Sequence, residues 1–295
     1  YFCCRRLQSV SSILFRNIGT LSQNFIQFIS MLSNKQSLPP IIQITEDGSH
    51  TLYIPEMNEH YHSTHGAMQE SMHVFIREGL LHRLSLRSSA LGETWEQPET
   101  GKKRQLLFPE HPLQARREIN LLEIGFGTGL NAFLTLLETE KANVNICYLS
   151  IERYPITCEA AQKLNYPAHN FIDVKAGDLQ ALFLRLHTSP WEQAITLTPG
   201  FTLLKQQTDF SRPATFIPER GFDLIYYDAF APDKQPEMWT QDIFNHLYNL
   251  SNRDAILTTY CAKGMVRRML QTAGFQVERL PGPPGKREIL RATKL

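Results

Sequence analysis

From residue 118 onward the chain alternates short apolar runs with stretches whose apolar residues recur at helical spacing. Short apolar runs bounded by turn residues predict buried strands, and the stretches between them predict helices. The predicted strands are 119–124, 145–151, 201–208, 222–227, 255–260, 276–280 and 288–292, and the predicted helices are 130–138, 156–164, 241–250 and 265–273. Such alternation is typical of βαβ units, so we expect an α/β fold with a mostly parallel, doubly wound sheet.

The region before this pattern is organised differently. Alternating residues around the Asp47-Gly48 turn predict a hairpin over 41–53, followed by a histidine-containing loop and a helix over 68–78. The stretch 93–117 is rich in charges and contains Pro, which predicts a linker or exposed loop. We therefore divide the chain into an unassigned N-terminal extension (1–38), a small N-terminal subdomain with its linker (39–117) and a main domain (118–295).

The first 45 residues contain no Asp or Glu and begin with Tyr1 rather than Met. An organellar targeting segment has this acid-poor composition. An incomplete or mis-extended start, with Met31 as the initiator, accounts for the same facts and is the interpretation we favour. Both explanations leave residues 1–38 outside the fold argument.

Composition narrows the cellular setting. Of the 295 residues 42% are hydrophobic, which suits one large domain or a domain with an added subdomain. Polar residues interrupt every apolar stretch before the roughly 18 residues that a membrane-spanning helix requires, so no membrane association is expected. The five cysteines show no paired spacing, which favours a reducing, cytoplasmic setting.

The formal net charge is only +1, but basic residues concentrate near the C-terminus. This basic cluster consists of Lys263, Arg267, Arg268, Arg279, Lys286, Arg287, Arg291 and Lys294, against Glu278 and Glu288. It is either a phosphate-facing surface or a solvated helix face with a charged tail. Charge alone leaves both interpretations open.

Three glycines, Gly125, Gly127 and Gly129, follow the strand that ends at residue 124. Glu123 is the second-last residue of that strand. Glycines here let the backbone turn sharply and approach a ligand, and the next helix points its positive end at the same place. A dinucleotide-binding loop would read G-x-G-x-x-G. The E-x-G-x-G-x-G found here instead resembles the cofactor loop of class I, Rossmann-like methyltransferases, which implies S-adenosylmethionine; a plain tight turn is the alternative.

Two further acids are expected along the carboxyl edge of the sheet. Glu152 ends the next strand, where a carboxylate can accept both hydroxyl groups of a ribose. An acid that faces the adenine should follow the third strand, and Asp209 and Asp178 compete for that position. We favour Asp209, because Asp178 would leave an unusually long connection to the strand at 222–227.

Asp228 follows the fourth strand, at the edge where open α/β folds bind ligands. Methyl transfer to an amine requires an oriented neutral nitrogen, and a carboxylate can accept its hydrogen bonds and stabilise the cation that forms. We therefore expect Asp228 to be catalytic, with a helix-capping acid as the alternative. His60, His62 and His65 lack accompanying ligands at known spacing, so we expect polar loop histidines and no metal site.

Five separated segments share one family pattern: I-T-E-D-G-S-H-T-L-Y (44–53), Q-E-S-M-H-V-F (69–75), E-I-G-F-G-T-G-L-N (123–131), Y-D-A-F-A-P-D-K-Q-P-E-M-W (227–239) and G-P-P-G-K-R-E-I-L (282–290). Together they resemble the MnmD-type methyltransferases, the amino-terminal half of the bifunctional tRNA-modification enzyme MnmC. The resemblance implies that 5-aminomethyl-2-thiouridine at the tRNA wobble position is methylated to 5-methylaminomethyl-2-thiouridine.

The resemblance also assigns roles to particular residues. It implies catalysis by Asp228 and cofactor contacts by Glu123, Gly125, Gly127, Gly129, Asn131, Glu152 and Asp209. The substrate-side candidates are Tyr61 and Glu70, which match positions that could close over the cofactor, Lys286 and Arg287 for tRNA phosphates, and Phe230 for stacking on uracil. Trp239 is a further stacking candidate, for which ordinary core packing is the expected role.

The bifunctional relatives continue into a flavin-dependent oxidoreductase domain, whereas this sequence stops at Leu295. We therefore expect methylation only, with a separate enzyme supplying the aminomethyl substrate and no flavin site. Two alternatives stay open: a small-molecule or polyamine-type amine transferase on the same fold, and a non-catalytic tRNA-binding module.

Overall fold

A computed structural model describes residues 38–90, 118–142, 144–169, 176–213, 216, 218 and 220–295. The strands are β1 (Ile41–Ile44), β2 (His50–Ile54), β3 (Glu59–His60), β4 (Glu118–Ile124), β5 (Asn145–Glu152), β6 (Ile195–Thr198), β7 (Phe201–Gln207), β8 (Phe222–Tyr227), β9 (Ser251–Thr259), β10 (Gln276–Pro281) and β11 (Glu288–Thr293). The helices are α1 (Ala67–Ser71), α2 (His82–Ala90), α3 (Leu130–Ala142), α4 (Cys158–Gln162), α5 (Ala176–Thr188), α6 (Gln241–Leu250) and α7 (Gly264–Ala273), and a π-helical segment (Met72–Leu81) joins α1 to α2.

The main sheet has eight strands in the order β10-β11-β9-β8-β4-β5-β7-β6. Its central pairs, β9-β8, β8-β4, β4-β5 and β5-β7, are parallel, and the strands added at both edges are antiparallel. The carboxyl ends of β5, β4 and β8 are therefore neighbours, which brings the residues after these strands together at one edge. The predicted α/β fold with a mostly parallel sheet is confirmed.

Alternate residues of the central strands face two separate hydrophobic cores. Leu121 and Tyr226 pack with the core on the side of α3 and α5, whereas Leu122 and Tyr227 pack with the core on the side of α6 and α7. All six residues of β8 are buried. Helices on both faces of a sheet explain why its central strands read as continuous apolar runs.

The N-terminal part confirms the predicted hairpin and lengthens the predicted helix. β1 and β2 pair antiparallel around Gly48, and β3 adds a short third strand. The helix predicted over 68–78 continues through the π-helical segment into α2. Residues 40–295 form one compact unit. The proposed linker and nearly all of the N-terminal extension lie outside the described residues, so the domain division stays a prediction.

Strand β6 is the one element of the main sheet that the apolar pattern did not predict. It has four residues, lies at the sheet edge and pairs antiparallel with β7. Pro199-Gly200 separates the two strands, and a Pro-Gly pair between two β-rich runs is a turn signal that would have found it. No helix among the described residues combines the length and apolar character needed to cross a membrane.

A buried ion pair connects α2 to the amino end of the sheet. Nη2 of Arg83 lies 3.5 Å from Oδ1 of Asp223, and both side chains are almost fully buried. The other oxygen of Asp223 accepts a hydrogen bond from the backbone N–H of Asn120 at 3.1 Å. Removing the arginine would take this ion pair from a buried carboxylate.

We expect Arg83→Met to lower the free energy of unfolding by about 3 to 5 kcal/mol, because the buried carboxylate of Asp223 loses this ion pair. Denaturant unfolding measures this change. Arg77→Met, on an exposed position of the preceding helical segment, should be close to neutral. The double variant Arg83→Met/Asp223→Asn, which removes the charge but keeps an oxygen for the Asn120 N–H, should recover part of the loss, and a double variant no more stable than Arg83→Met would contradict the explanation.

Candidate functional site

The three glycines after β4 adopt backbone conformations that other residues rarely occupy. Gly125, Gly127 and Gly129 have φ of 95°, 49° and 74°. A Cβ atom on Gly125 would lie 2.7 Å from the carbonyl oxygen of Asp228, so this glycine is required for the close approach of two loops. The approach places the segment after β8 directly against the segment after β4.

Side chains from three distant segments hold the glycine loop through Thr128. A ring nitrogen of His62 lies 2.7 Å from the hydroxyl of Thr128, and the Tyr166 hydroxyl donates to the same oxygen at 3.2 Å. A ring nitrogen of His187 lies 3.2 Å from the Thr128 carbonyl oxygen. Burial lowers the pKa of His62 to about 4, so its ring is neutral near pH 7. The sequence analysis did not single out Thr128 or these contacts.

Glu152 and Tyr61 lie beside the second glycine, as their candidate roles require. The backbone N–H of Gly127 donates to Oε2 of Glu152 at 3.0 Å. A Cβ on Gly127 would lie 2.9 Å from Cδ1 of Tyr61. The Tyr61 and Phe230 rings meet edge to face with centroids 5.2 Å apart. Residues that follow β3, β4 and β8 thus meet the last residue of β5 around one loop.

The Asp228 carboxyl accepts a hydrogen bond from Asn131 and is affected by two charged groups, Glu70 and Lys286. Nδ2 of Asn131 donates to its Oδ2 at 2.8 Å. Burial raises the pKa of Asp228 to about 7, with a smaller upward effect from the Glu70 carboxylate, while the Asn131 hydrogen bond and the Lys286 charge act in the opposite direction. A carboxyl with this pKa can exchange a proton near neutral pH.

Lys286 lies in this site rather than on an open surface. Its ammonium forms an ion pair with the Glu70 carboxylate and lies 3.9 Å from the centre of the Tyr260 ring. Glu70 also accepts a hydrogen bond from the backbone N–H of Ser63 at 2.8 Å. The charge of Lys286 is thus paired beside Asp228, and its role as a phosphate contact stays a prediction. Tyr260, which the sequence analysis missed, shapes the same place and donates to the Ala229 carbonyl at 2.8 Å.

Most of the other basic residues near the C-terminus are also paired internally. Arg291 is nearly buried and bridges Glu78 and Glu278 at 2.8 and 3.0 Å. Lys263 pairs with Asp233, and the Lys294 ammonium donates to two backbone carbonyls. This pairing reduces the positive charge available for a phosphate-facing surface, which is one of the two interpretations of the basic cluster. Arg287 is exposed, and its role as a tRNA contact stays a prediction.

The two candidate adenine acids occupy different elements. Asp209 follows the end of β7, and its carboxylate pairs with Arg153 at 2.8 Å. A hydrogen bond from Ser211 contributes most to lowering the pKa of Asp209. Asp178 belongs to α5, and its side chain lies outside what the structure describes. The position after the third parallel strand is therefore that of Asp209.

Glu123 and Asn131, which were expected to contact the cofactor, both have buried side chains. Glu123 is fully buried beneath the loop, with Oε2 accepting a hydrogen bond from Ser150 at 2.6 Å. Asn131 is 3% exposed, and its amide faces Asp228. Direct cofactor contacts by these two side chains stay a prediction.

The remaining candidates have ordinary partners. Trp239 is buried in the core beside Tyr227, with ring centroids 5.0 Å apart, so core packing is its observed role. His60 contacts Gln43 and His65 contacts Glu46, each at 2.9 Å, whereas His62 contacts Thr128. The three histidines thus have separate partners instead of converging.

Residues 209–295 match the family model described as S-adenosyl-L-methionine-dependent methyltransferase. The tRNA 5-methylaminomethyl-2-thiouridine biosynthesis bifunctional protein MnmC of Cupriavidus metallidurans is 30% identical over 259 residues, which are 83% of this chain and 32% of that protein. MnmC of Pseudomonas savastanoi pv. phaseolicola is 31% identical over 249 residues, 81% of this chain and 32% of that protein. The chain thus spans about a third of the length of these curated relatives.

Among solved structures, MnmC2 from Aquifex aeolicus is similar, with a TM-score of 0.62 at 22% sequence identity. The similarity covers 88% of this chain and 71% of that chain. It confirms the fold, and the sequence matches confirm the resemblance to MnmC on which the expected site residues were assigned. The roles of the individual residues are matters for experiment.

We expect Gly125→Ala to weaken S-adenosylmethionine binding by about tenfold or more, because a methyl group would push the Asp228 segment away from the loop. Gly48→Ala is the matched control. Gly48 also has positive φ, 84°, but a Cβ there would have its nearest neighbour at 3.9 Å. The control should lose about 1 kcal/mol of stability and no affinity. Calorimetric titration of both variants measures the difference, and equal affinities would contradict the packing argument.

Proposed function

We propose that this chain, a relative of the S-adenosyl-L-methionine-dependent methyltransferases and of MnmC, methylates the primary amine of 5-aminomethyl-2-thiouridine at the tRNA wobble position. The product would be 5-methylaminomethyl-2-thiouridine. The observation that carries the proposal is the contact between the glycine loop and Asp228, a carboxyl whose pKa is raised to about 7. A nucleotide-binding loop and a proton-accepting group thereby meet in one place.

The residues around the loop suit S-adenosylmethionine. Gly125 and Gly127 leave room for a ligand near the backbone, and Glu152 offers a carboxylate beside them for the ribose hydroxyls. Asp209 at the end of β7 is the proposed adenine-side acid, and Tyr61 is proposed to cover the loop. When bound, the cofactor supplies a methyl group on a sulfonium that the acceptor nitrogen takes up as the carbon–sulfur bond breaks.

Asp228 has the chemical task in this proposal. A primary alkyl amine is protonated in neutral water and has no free electron pair, so the site must accept a proton from its nitrogen. The ionised carboxylate of Asp228 can take that proton and hold the nitrogen by a hydrogen bond. Burial supports this role, because it brings the pKa of the acid close to neutrality instead of leaving it fully ionised.

The tRNA and its surroundings belong to the same proposal. The Phe230 ring is partly exposed next to Asp228, where it can stack on an extruded uracil. Arg287 is the exposed basic side chain that we assign to a phosphate contact, which should be sensitive to salt. The aminomethyl group would come from another enzyme, and the cytoplasm, where tRNA is modified, is the proposed compartment.

We expect the purified protein to transfer labelled methyl from S-adenosylmethionine to tRNA isolated from a strain that lacks this activity. Asp228→Asn should reduce the rate by about 100-fold or more, because the proton acceptor is lost. Asp242→Asn, on the exposed side of α6, should retain the rate. Transfer only to free amines would favour a small-molecule transferase, and tRNA binding without transfer would favour a non-catalytic module.

We expect kcat to rise with pH through about 7, because the ionised form of Asp228 is the active one. Lys286 favours that form and Glu70 disfavours it. Lys286→Met should therefore move the acidic limb of the pH profile upward, and Glu70→Gln should move it downward. The double variant should lie near the wild type, since both charges are absent. Steady-state rates across pH measure the three shifts, and limbs that coincide would contradict the assignment.

A further inference from the structure

Two buried side chains behind Asp228 have no part in the mechanism derived so far. Glu123, at the end of β4, is fully buried, and Asn131, in the first turn of α3, is 3% exposed. Nδ2 of Asn131 donates to Oδ2 of Asp228 at 2.8 Å. The Asn131 amide and the Tyr148 hydroxyl also make polar contacts with Glu123. One amide therefore lies between two carboxyl groups.

The hydrogen bonding around Glu123 indicates which form this carboxyl takes. Ser150 donates to its Oε2 at 2.6 Å. Within the described part of the chain, Oε1 of Glu123, Oδ1 of Asn131 and the Tyr148 hydroxyl have no partner of hydrogen-bonding geometry. If Glu123 is ionised, two of these three atoms, Oε1 of Glu123 and Oδ1 of Asn131, are acceptors, and only the Tyr148 hydroxyl can donate. A proton on Glu123 adds the second donor and balances the group.

Electrostatics favours the same form. Burial raises the pKa of Glu123 to about 8. The hydrogen bond from Ser150 acts in the opposite direction, and the charge of Asp228 raises the pKa further. Two neighbouring carboxyls in a buried environment resist holding two negative charges, so the pair carries one. Asn131 donates to Asp228, and a donated hydrogen bond stabilises an ionised carboxylate.

We propose that Glu123 and Asn131 are positioning residues: Glu123 stays protonated beneath the glycine loop, and the Asn131 amide directs the pair's single negative charge to Asp228. Asp228 is the member of the pair that reaches the partly exposed front of the site. This differs from the sequence expectation that Glu123 and Asn131 contact the cofactor. It rests on the proposed function only in assigning the proton acceptance to Asp228.

Other groups also act on Asp228 and have to be kept constant in a test. Glu70 from α1 and Lys286 from the loop between β10 and β11 are the charged neighbours, and Tyr260 and Tyr148 couple to it through their hydroxyl groups. None of the variants below changes these residues. A shift in the pH profile then reports on the interactions among Glu123, Asn131 and Asp228.

The test compares Glu123→Gln, Glu123→Ala and Asn131→Ala in the full chain, with Asn145→Ala as the matched control. Asn145 is another asparagine whose Oδ1 is buried without a partner in the described structure. It is the first residue of β5 and therefore lies at the amino-terminal end of the parallel strands, away from Asp228. For each variant we would measure the affinity for S-adenosylmethionine, the pH profile of methyl transfer and the infrared band of a protonated carboxylic acid.

We expect Asn131→Ala to move the acidic limb upward by about one pH unit, which is roughly a tenfold lower rate below both limbs. Glu123→Gln, which imitates the protonated acid, should retain most of kcat, whereas Glu123→Ala should lose it. Because the Asp228 carboxyl is itself partly protonated near pH 7, the Glu123 band is identified in the wild-type minus Glu123→Gln difference spectrum, where we expect a carboxylic-acid band at neutral pH. All variants should bind S-adenosylmethionine within about twofold of the wild type. Asn145→Ala should change neither the band nor the limb.

A wild-type minus Glu123→Gln difference spectrum without a carboxylic-acid band would overturn the proposal, as would an unmoved limb in Asn131→Ala. A loss of affinity of about tenfold in Glu123→Gln would restore the cofactor role. The infrared and binding measurements do not require turnover. If wild-type protein transfers no methyl to tRNA, the proposed function fails, while the protonation of Glu123 is still decided by its band.

Discussion

Backbone hydrogen bonds between the ends of three neighbouring parallel strands are the constraint on which the site depends. After β4, the N–H of Gly125 donates to the carbonyl of Ile151 in β5 at 2.9 Å. After β8, the N–H of Asp228 donates to the carbonyl of Ile124 at 3.0 Å. The two loops are thus joined to the sheet edge and to each other, and Gly125 permits the resulting contact because it has no side chain.

This constraint also sets the electrostatics. Because the backbone of Asp228 is hydrogen-bonded to the sheet edge, its carboxyl lies toward the interior. Burial is therefore the largest influence on the pKa of Asp228. The N-terminal helix and the loop between the last two strands then add one charge each, Glu70 and Lys286, which pair with one another beside it. The proton affinity of the acid therefore depends on residues from both ends of the chain as well as on its own strand.

Features that depend on neighbouring residues along the chain could be predicted from the sequence. The helix over 241–250 has the predicted bounds because Thr240 caps its start and the apolar spacing continues to Leu250. The acids after β5, β7 and β8 could be predicted because parallel strands end at one edge. Gly125 could be singled out from its motif, although its contact with the Asp228 carbonyl depends on the order of strands in the sheet.

Long-range pairing could not be predicted from the sequence. Lys286 reads as part of a basic cluster, and only the fold reveals that Glu70, more than two hundred residues earlier, takes up its charge. Asn131 follows a glycine motif and so suggests a ligand contact, yet in the fold its amide donates a hydrogen bond to Asp228. In both cases the distribution of neighbours in space, rather than residue type, decides the role.

Mass spectrometry of wobble nucleosides tests the central claim most directly. Undermethylated tRNA that carries 5-aminomethyl-2-thiouridine would be incubated with the protein and S-adenosylmethionine and then digested to nucleosides. The account predicts that this nucleoside gains a single methyl group and becomes 5-methylaminomethyl-2-thiouridine. A wobble nucleoside that stays unchanged while the cofactor is bound, or a methyl group that appears on another nucleoside, would contradict it.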